Sequence, residues 1–116
     1  MPRVLLADDD DAFREQLAEE LRTNVAGLEI VASVGDGHQA VAQAMTHSPD
    51  TVLIDYGMPG PDGGHAAAVI RQALPATRVV ILTGQETAKL ENVPPDVEVL
   101  RKGAGLESAL SRLFLA

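Results

Sequence analysis

Residues 51–63 read TVLIDYGMPGPDG, a short apolar run followed by an acid and a loop rich in proline and glycine. An unbroken apolar run of this length is typical of a strand buried on both faces of a parallel sheet. The strand delivers one carboxylate, Asp55, into a loop in which Pro59, Pro61 and Gly63 oppose regular structure. Because ligands of open parallel α/β sheets bind at the carboxyl ends of the strands, Asp55 marks the edge where a functional site is expected.

Further apolar runs alternate with amphipathic stretches along the chain. Strands are predicted in Val4–Ala7, Leu28–Ser33, Arg78–Thr83 and Val97–Leu100. Helices are predicted over Phe13–Leu21, Ala40–Met45, Ala66–Leu74 and from Leu106 to the end of the chain. Since parallel strands need crossovers, this alternation predicts an α/β fold, a doubly wound five-stranded parallel sheet of flavodoxin-like order 2-1-3-4-5. Residues 86–91 allow only a turn or two before a pair of prolines, so a shortened fourth helix is expected.

Composition limits the classes of function. The 116 residues show no break in composition, so one domain spanning residues 1–116 is expected. The apolar end at Leu113-Phe114-Leu115 suggests a further segment beyond this sequence. The net charge of −8 opposes contact with phosphate backbones, so the domain is not expected to bind DNA itself. No apolar run is long enough to cross a membrane, and the absence of cysteine makes the cytoplasm the simplest location.

Carboxylates are predicted to converge at the carboxyl edge of the sheet. Asp8 and Asp9 follow the first strand, and Asp55 ends the third, which neighbours the first in a flavodoxin-like sheet. Like charges this close repel, so the three acids favour a cation, and oxygen ligands of this kind suit Mg²⁺ or Mn²⁺. For any single aspartate a helix cap or a solvated loop is the simpler interpretation, and Asp10 and Asp11 fit that role best.

A hydroxyl and an ammonium are expected at the same edge, because Thr83 ends the fourth strand and Lys102 follows the fifth. Taken singly, they are a strand-end residue and a solvated charge. Together with the acids they are suited to phosphoryl transfer: Asp55 can form an acyl phosphate, Lys102 can offset the developing charge and Thr83 can donate to a phosphoryl oxygen.

The chain resembles the receiver domains of two-component response regulators over essentially its whole length. The motifs that carry the resemblance are VLLADD (residues 4–9), IDYGMPGPDG (54–63), VILTG (80–84) and LRK (100–102), in the expected order. Within that family the chain is most similar to the NarL-type (LuxR-type) receivers, through DAFRE (11–15), GDG (35–37) and MPG (58–60).

The resemblance implies a role for each site residue. Asp55 is then the phosphoacceptor, Asp8 and Asp9 are the acidic pair that holds Mg²⁺, and the Gly57 backbone carbonyl is a further metal ligand. By the same resemblance Thr83 is the switch hydroxyl, and Lys102 is the lysine that contacts the phosphoryl group.

The resemblance also implies the biological setting. The domain is expected to receive its phosphoryl group from a sensor histidine kinase and to act as a switch, catalysing only its own phosphorylation and dephosphorylation. An attached DNA-binding domain outside this chain would control transcription, and a homodimer is a further expectation. Three departures alter the usual output surface: the interval from Thr83 to Lys102 is short, Val99 replaces a frequent aromatic, and Gly103 replaces a frequent proline.

Two alternatives remain open from the sequence. A pseudo-receiver would keep the fold and act as a protein-interaction module without phosphate, which the short interval before Lys102 favours. A Mg²⁺-dependent phosphohydrolase would use Asp55 as nucleophile, but it would need a second acid–base group just beyond, and Gly57 offers none.

Overall fold

The computed structural model describes residues 2–84 and 90–114 of the chain. The strands are β1 Arg3–Ala7, β2 Glu29–Val34, β3 Thr51–Asp55, β4 Arg78–Thr83 and β5 Glu98–Arg101. The helices within these residues are α1 Asp11–Asn24, α2 Gly37–His47, α3 Gly63–Ala73 and α4 Leu106–Leu113. All neighbouring strands pair in parallel, in the order β2-β1-β3-β4-β5. The predicted fold class and strand order are confirmed.

Each central strand contributes to two apolar layers, one on each face of the sheet. In β1, Leu5 packs in a cluster with residues of α2 and α3, whereas Leu6 packs in a cluster with residues of α1 and α4. Because successive side chains of a strand point to opposite faces, the unbroken apolar run of a central strand fills both layers. The carboxyl edge of the sheet is thereby held between two packed layers.

The first three helices begin in the same way. Asp10, Asp36 and Asp62 are the N-cap residues, and each carboxylate accepts a hydrogen bond from the backbone N–H three residues later. An N-cap acid satisfies a free N–H group and favours the helix dipole. The predicted capping role of Asp10 is confirmed, and Asp11 is the first residue of α1.

The prediction that Gly63 belongs to an irregular loop is wrong, because Gly63 and Gly64 form the first turn of α3. A Cβ atom on Gly63 would lie 2.5 Å from the carbonyl oxygen of Asp55, and one on Gly64 would lie 2.7 Å from that of Asn92. The helix begins with two glycines because the backbone of Asp55 packs directly against the first, and that of Asn92, in the segment before β5, packs against the second.

The ends of several elements differ from the prediction. Val97 lies before β5 because its N–H donates to the Pro94 carbonyl in a turn. The last helix, expected to run to the end of the chain, ends at Leu113 with Phe114 as its C-cap, and residues 115–116 lie outside the described residues. Such shifts depend on turn hydrogen bonds that apolar periodicity does not report.

The predicted shortened fourth helix falls largely on residues 85–89, which lie outside the described residues. The described residues 90–97 form an irregular segment that leads into β5. Leu90 and Val93 of this segment pack against the apolar layer beside α3. Within the described ranges, none of the helices has the length and apolarity that a membrane crossing requires.

Candidate functional site

The acids predicted to converge do so at the carboxyl ends of β1 and β3. One carboxylate oxygen from each of Asp8, Asp9 and Asp55 lies within 4.8 Å of the others. Asp8 and Asp55 are buried, with 3% and 8% of their surface exposed, whereas Asp9 is exposed. The cluster therefore has two oxygen donors set into the fold and one facing solvent.

Lys102 reaches this cluster from the end of β5. Its Nζ donates to Oδ2 of Asp8 at 2.8 Å and lies 3.0 Å from Oδ1 of Asp55. The backbone N–H of Lys102 donates to the carbonyl oxygen of Thr83 at 2.8 Å, which continues the pairing of β4 with β5 by one residue. The ammonium is thus placed between two carboxylates by the sheet itself.

The charges of the cluster shift the protonation of its members. Burial raises the pKa of the Asp55 carboxyl, and the carboxylates of Asp8 and Asp9 add to the increase, although the hydrogen bond from Lys102 opposes it. Burial alone would lower the pKa of the Lys102 ammonium, but its hydrogen bonds to Asp8 and Asp55 outweigh burial and raise it. Lys102 therefore remains an ammonium at neutral pH.

The donor set fits a divalent cation. Three carboxylates face the Lys102 ammonium, which offsets only part of their negative charge. Two of these acids are buried, so the remaining repulsion is poorly screened by water. Oxygen ligands of this kind suit Mg²⁺ or Mn²⁺, so Asp8, Asp9 and Asp55 are the residues that would hold the ion.

Gly57 and Thr83 flank the cluster. A Cβ atom on Gly57 would lie 3.9 Å from Oδ2 of Asp55, so the backbone of Gly57 passes close to that carboxylate. Thr83, at the end of β4, is only 2% exposed. The structure thus brings every residue of the predicted site to the same edge of the sheet.

Arg14 is a site residue that the sequence reasoning missed. Its guanidinium donates to the backbone carbonyl of Asp8, to Oγ of Ser33 at 2.8 Å and to Oδ1 of Asp11 at 2.8 Å. It thereby ties the acidic loop after β1 to the end of β2 and the first turn of α1. In the sequence Arg14 is one of several charged residues on an amphipathic helix, and its spacing does not distinguish it from the exposed ones.

Phe13 is a second residue that the sequence reasoning assigned only to the helix core. Its ring lies under the ammonium of Lys102, with 4.4 Å between Nζ and the ring centre. The ring also packs against the apolar layer between α1 and α4. The sequence feature that could have identified Phe13 is its position in the first turn of α1, directly after the acidic loop.

Comparisons with known proteins agree on one family. The family model of the response regulator receiver domain matches residues 4–101. The chain is 46% identical over 79 residues to the transcriptional regulatory protein PdtaR of Mycobacterium tuberculosis, which covers 68% of this chain and 38% of PdtaR. It is 34% identical over 84 residues to the probable transcriptional regulatory protein NarL of the same organism, covering 72% of this chain and 38% of NarL.

The comparison with solved structures agrees with the family match. The solved signal receiver domain of the NarL response regulator from M. tuberculosis superimposes with a TM-score of 0.83 at 29% identity, covering 97% of this chain and 91% of that one. The matched region is well under half the length of the curated relatives, 38% in each case.

Proposed function

The chain belongs to the response regulator receiver domain family of two-component systems, and from this premise we propose that it is a signalling switch that accepts a phosphoryl group on Asp55. One observation carries the proposal. The Lys102 ammonium lies 2.8 Å from Asp8 and 3.0 Å from Asp55, within a cluster of three carboxylates at the strand ends. A nucleophile, a fixed cation and oxygen ligands for a metal are therefore adjacent.

The proposed reaction uses Asp55 as nucleophile. A carboxylate oxygen of Asp55 attacks the phosphorus of a phosphohistidine on a sensor histidine kinase, an O–P bond forms, and the N–P bond breaks with its electron pair returning to the imidazole. The product is an acyl phosphate on Asp55. Lys102 offsets the charge that spreads over the phosphoryl oxygens. Mg²⁺ held by Asp8, Asp9, Asp55 and the Gly57 carbonyl would supply further charge neutralisation there.

Phosphorylation would act by shifting a population. The new group brings negative charge and acceptor oxygens to the edge where Thr83 ends β4 and Lys102 follows β5. Thr83 serves in this proposal as the switch hydroxyl that donates to a phosphoryl oxygen. A conformation in which both residues contact the phosphoryl group is then favoured over one in which they do not. Attack by water on the phosphorus returns Asp55 and inorganic phosphate, which resets the switch.

The relatives suggest what the switch controls. Both curated relatives are named as transcriptional regulators and are longer than this chain. We therefore propose that the domain, spanning residues 1–116, controls transcription through an attached DNA-binding domain, with a homodimer as a further proposal. We propose a cytoplasmic location for the domain, because a kinase that uses ATP would phosphorylate it there.

The test is intact-mass analysis after incubation with acetyl phosphate and Mg²⁺. One phosphoryl adduct is expected on the wild type, and it should disappear in Asp55→Asn and in the presence of EDTA. An adduct that persists in Asp55→Asn would contradict the assignment of the phosphoacceptor. Absence of any adduct on the wild type would favour a pseudo-receiver that acts as a protein-interaction module without phosphate.

A further inference from the structure

We propose that Phe13 is a positioning residue for the reaction at Asp55, because its ring face keeps the Lys102 ammonium at the site. The inference rests on the proposed function, since it concerns the same phosphoryl transfer. The observation behind it is the distance of 4.4 Å between Nζ of Lys102 and the centre of the Phe13 ring. A cation over an aromatic face at this distance is attracted by the negative face of the ring.

Phe13 is held through both its backbone and its side chain. The backbone N–H of Phe13 donates to Oδ1 of Asp10, the N-cap of α1, at 3.1 Å. The side chain packs against the apolar layer that includes Leu17, Leu106 and Leu110. Phe13 therefore offers its ring to Lys102 from a rigid helix end rather than from a mobile loop.

The reaction gives this contact a purpose that the carboxylates cannot serve. In the structure Lys102 is held by Asp8 and Asp55, but a metal ion would neutralise these same acids, and phosphorylation would convert Asp55 to an acyl phosphate. Both changes weaken the hold of the carboxylates on the ammonium. Until the phosphoryl group arrives as a new partner, the long lysine side chain, which is 24% exposed, is able to turn into solvent.

The contact with Phe13 does not depend on the charge of Asp8 or Asp55. It therefore persists when the metal and the phosphoryl group arrive, and it keeps the ammonium within reach of the phosphoryl oxygens. A side chain that merely filled the apolar layer would not need an aromatic face toward Lys102. Replacement of the ring by aliphatic bulk separates these two roles.

The experiment compares three variants in the phosphorylation reaction with acetyl phosphate and Mg²⁺, followed by intact mass. Phe13→Leu keeps apolar bulk and removes the ring face, so its rate should fall about three- to tenfold, the range expected for loss of one cation–π contact. Phe13→Tyr keeps the ring and should retain the rate within about twofold. Phe114→Leu makes the same change in the same apolar layer, at the end of α4, and should match the wild type.

A rate for Phe13→Leu equal to that of the wild type would overturn the inference, as would an equal fall in Phe13→Tyr. A second readout separates the inference from the proposed function. In the NMR spectrum of the wild type, the ring current of Phe13 should shift the Hε protons of Lys102 upfield, and Phe13→Leu should abolish that shift. If the shift is present but no phosphoryl adduct forms on the wild type, the proposed function fails. If the adduct forms and Phe13→Leu reacts normally, only the role of Phe13 fails.

Discussion

Replacement of Lys102 by methionine should lower the free energy of unfolding of the metal-free domain. The variant removes the ammonium that lies 2.8 Å from Asp8 and 3.0 Å from Asp55 and leaves two buried carboxylates facing each other. Breaking a fully buried pair costs about 3–5 kcal/mol and an exposed pair about 0–1 kcal/mol. Since the side chain of Lys102 is 24% exposed, we expect a loss of about 2 kcal/mol in the free energy of unfolding.

That loss corresponds to a fall of about 6–12 °C in Tm for a domain of this size, measured by circular dichroism. The matched control is Arg78→Met, which breaks the ion pair with Glu98, where both side chains are nearly half exposed. The control should lose less than about 1 kcal/mol. A loss of stability for Lys102→Met no greater than that for Arg78→Met would show that the buried carboxylates do not depend on the Lys102 ammonium.

The difference in the free energy of unfolding between the wild type and Lys102→Met should also decrease as the pH falls from neutrality. Burial holds the pKa of Asp55 above its usual value of 3.8, so the folded state keeps this proton to a higher pH than the unfolded chain does. The folded state then binds more protons in the window above 3.8, and its stability rises as the pH falls through that window. Loss of Lys102 raises this pKa further and widens the window. A stability difference between the two proteins that stays constant with pH would contradict the pairing of Lys102 with Asp55.

Three further predictions concern the metal site and the loop beside Asp55. Mg²⁺ at about ten times its Kd should raise the free energy of unfolding by about 1.4 kcal/mol. In Asp9→Asn most of this stabilisation should be lost. Calorimetry of both proteins in the presence and absence of Mg²⁺ measures the difference. The Mg²⁺ affinity should weaken as the pH falls toward the raised pKa of Asp55, because protons and the metal compete for the same oxygens. Tyr56→Phe should cost about 1 kcal/mol and speed hydrogen exchange of the Glu91 amide, because the Tyr56 hydroxyl both donates to the Glu91 carbonyl and accepts from its N–H, each at 2.9 Å.

Much of the fold could be predicted because its central strands are buried on both faces. In β3, every residue from Thr51 to Asp55 is buried, and burial on both faces explains why Val52, Leu53 and Ile54 form an unbroken apolar run. The errors lie where local hydrogen bonds decide the structure, as in the turn at Val97. The prediction for Gly63 was wrong because its tight packing against the backbone of Asp55 is a tertiary contact that the sequence does not report.

The sequence was sufficient to predict which residues meet at the site, but not which contacts hold them there. The rule that strand ends share one edge brought together Asp8, Asp55 and Lys102. Sequence spacing could not show that Arg14 binds the Asp8 backbone or that Phe13 lies under Lys102, because both contacts depend on how α1 is turned about its axis against the sheet. An apolar stripe at helical spacing has the same pattern whether its first aromatic residue faces the core or a cation.

The most direct test of the central claim is to locate the phosphoryl group on the chain. The wild type, treated with acetyl phosphate and Mg²⁺, is reduced with borohydride, which converts an aspartyl phosphate to homoserine, and is then digested and mapped by mass spectrometry. We predict homoserine at residue 55 and at no other aspartate. Homoserine at Asp8 or Asp9, or its absence from every peptide despite Mg²⁺ binding, would contradict the proposal that Asp55 is the phosphoacceptor.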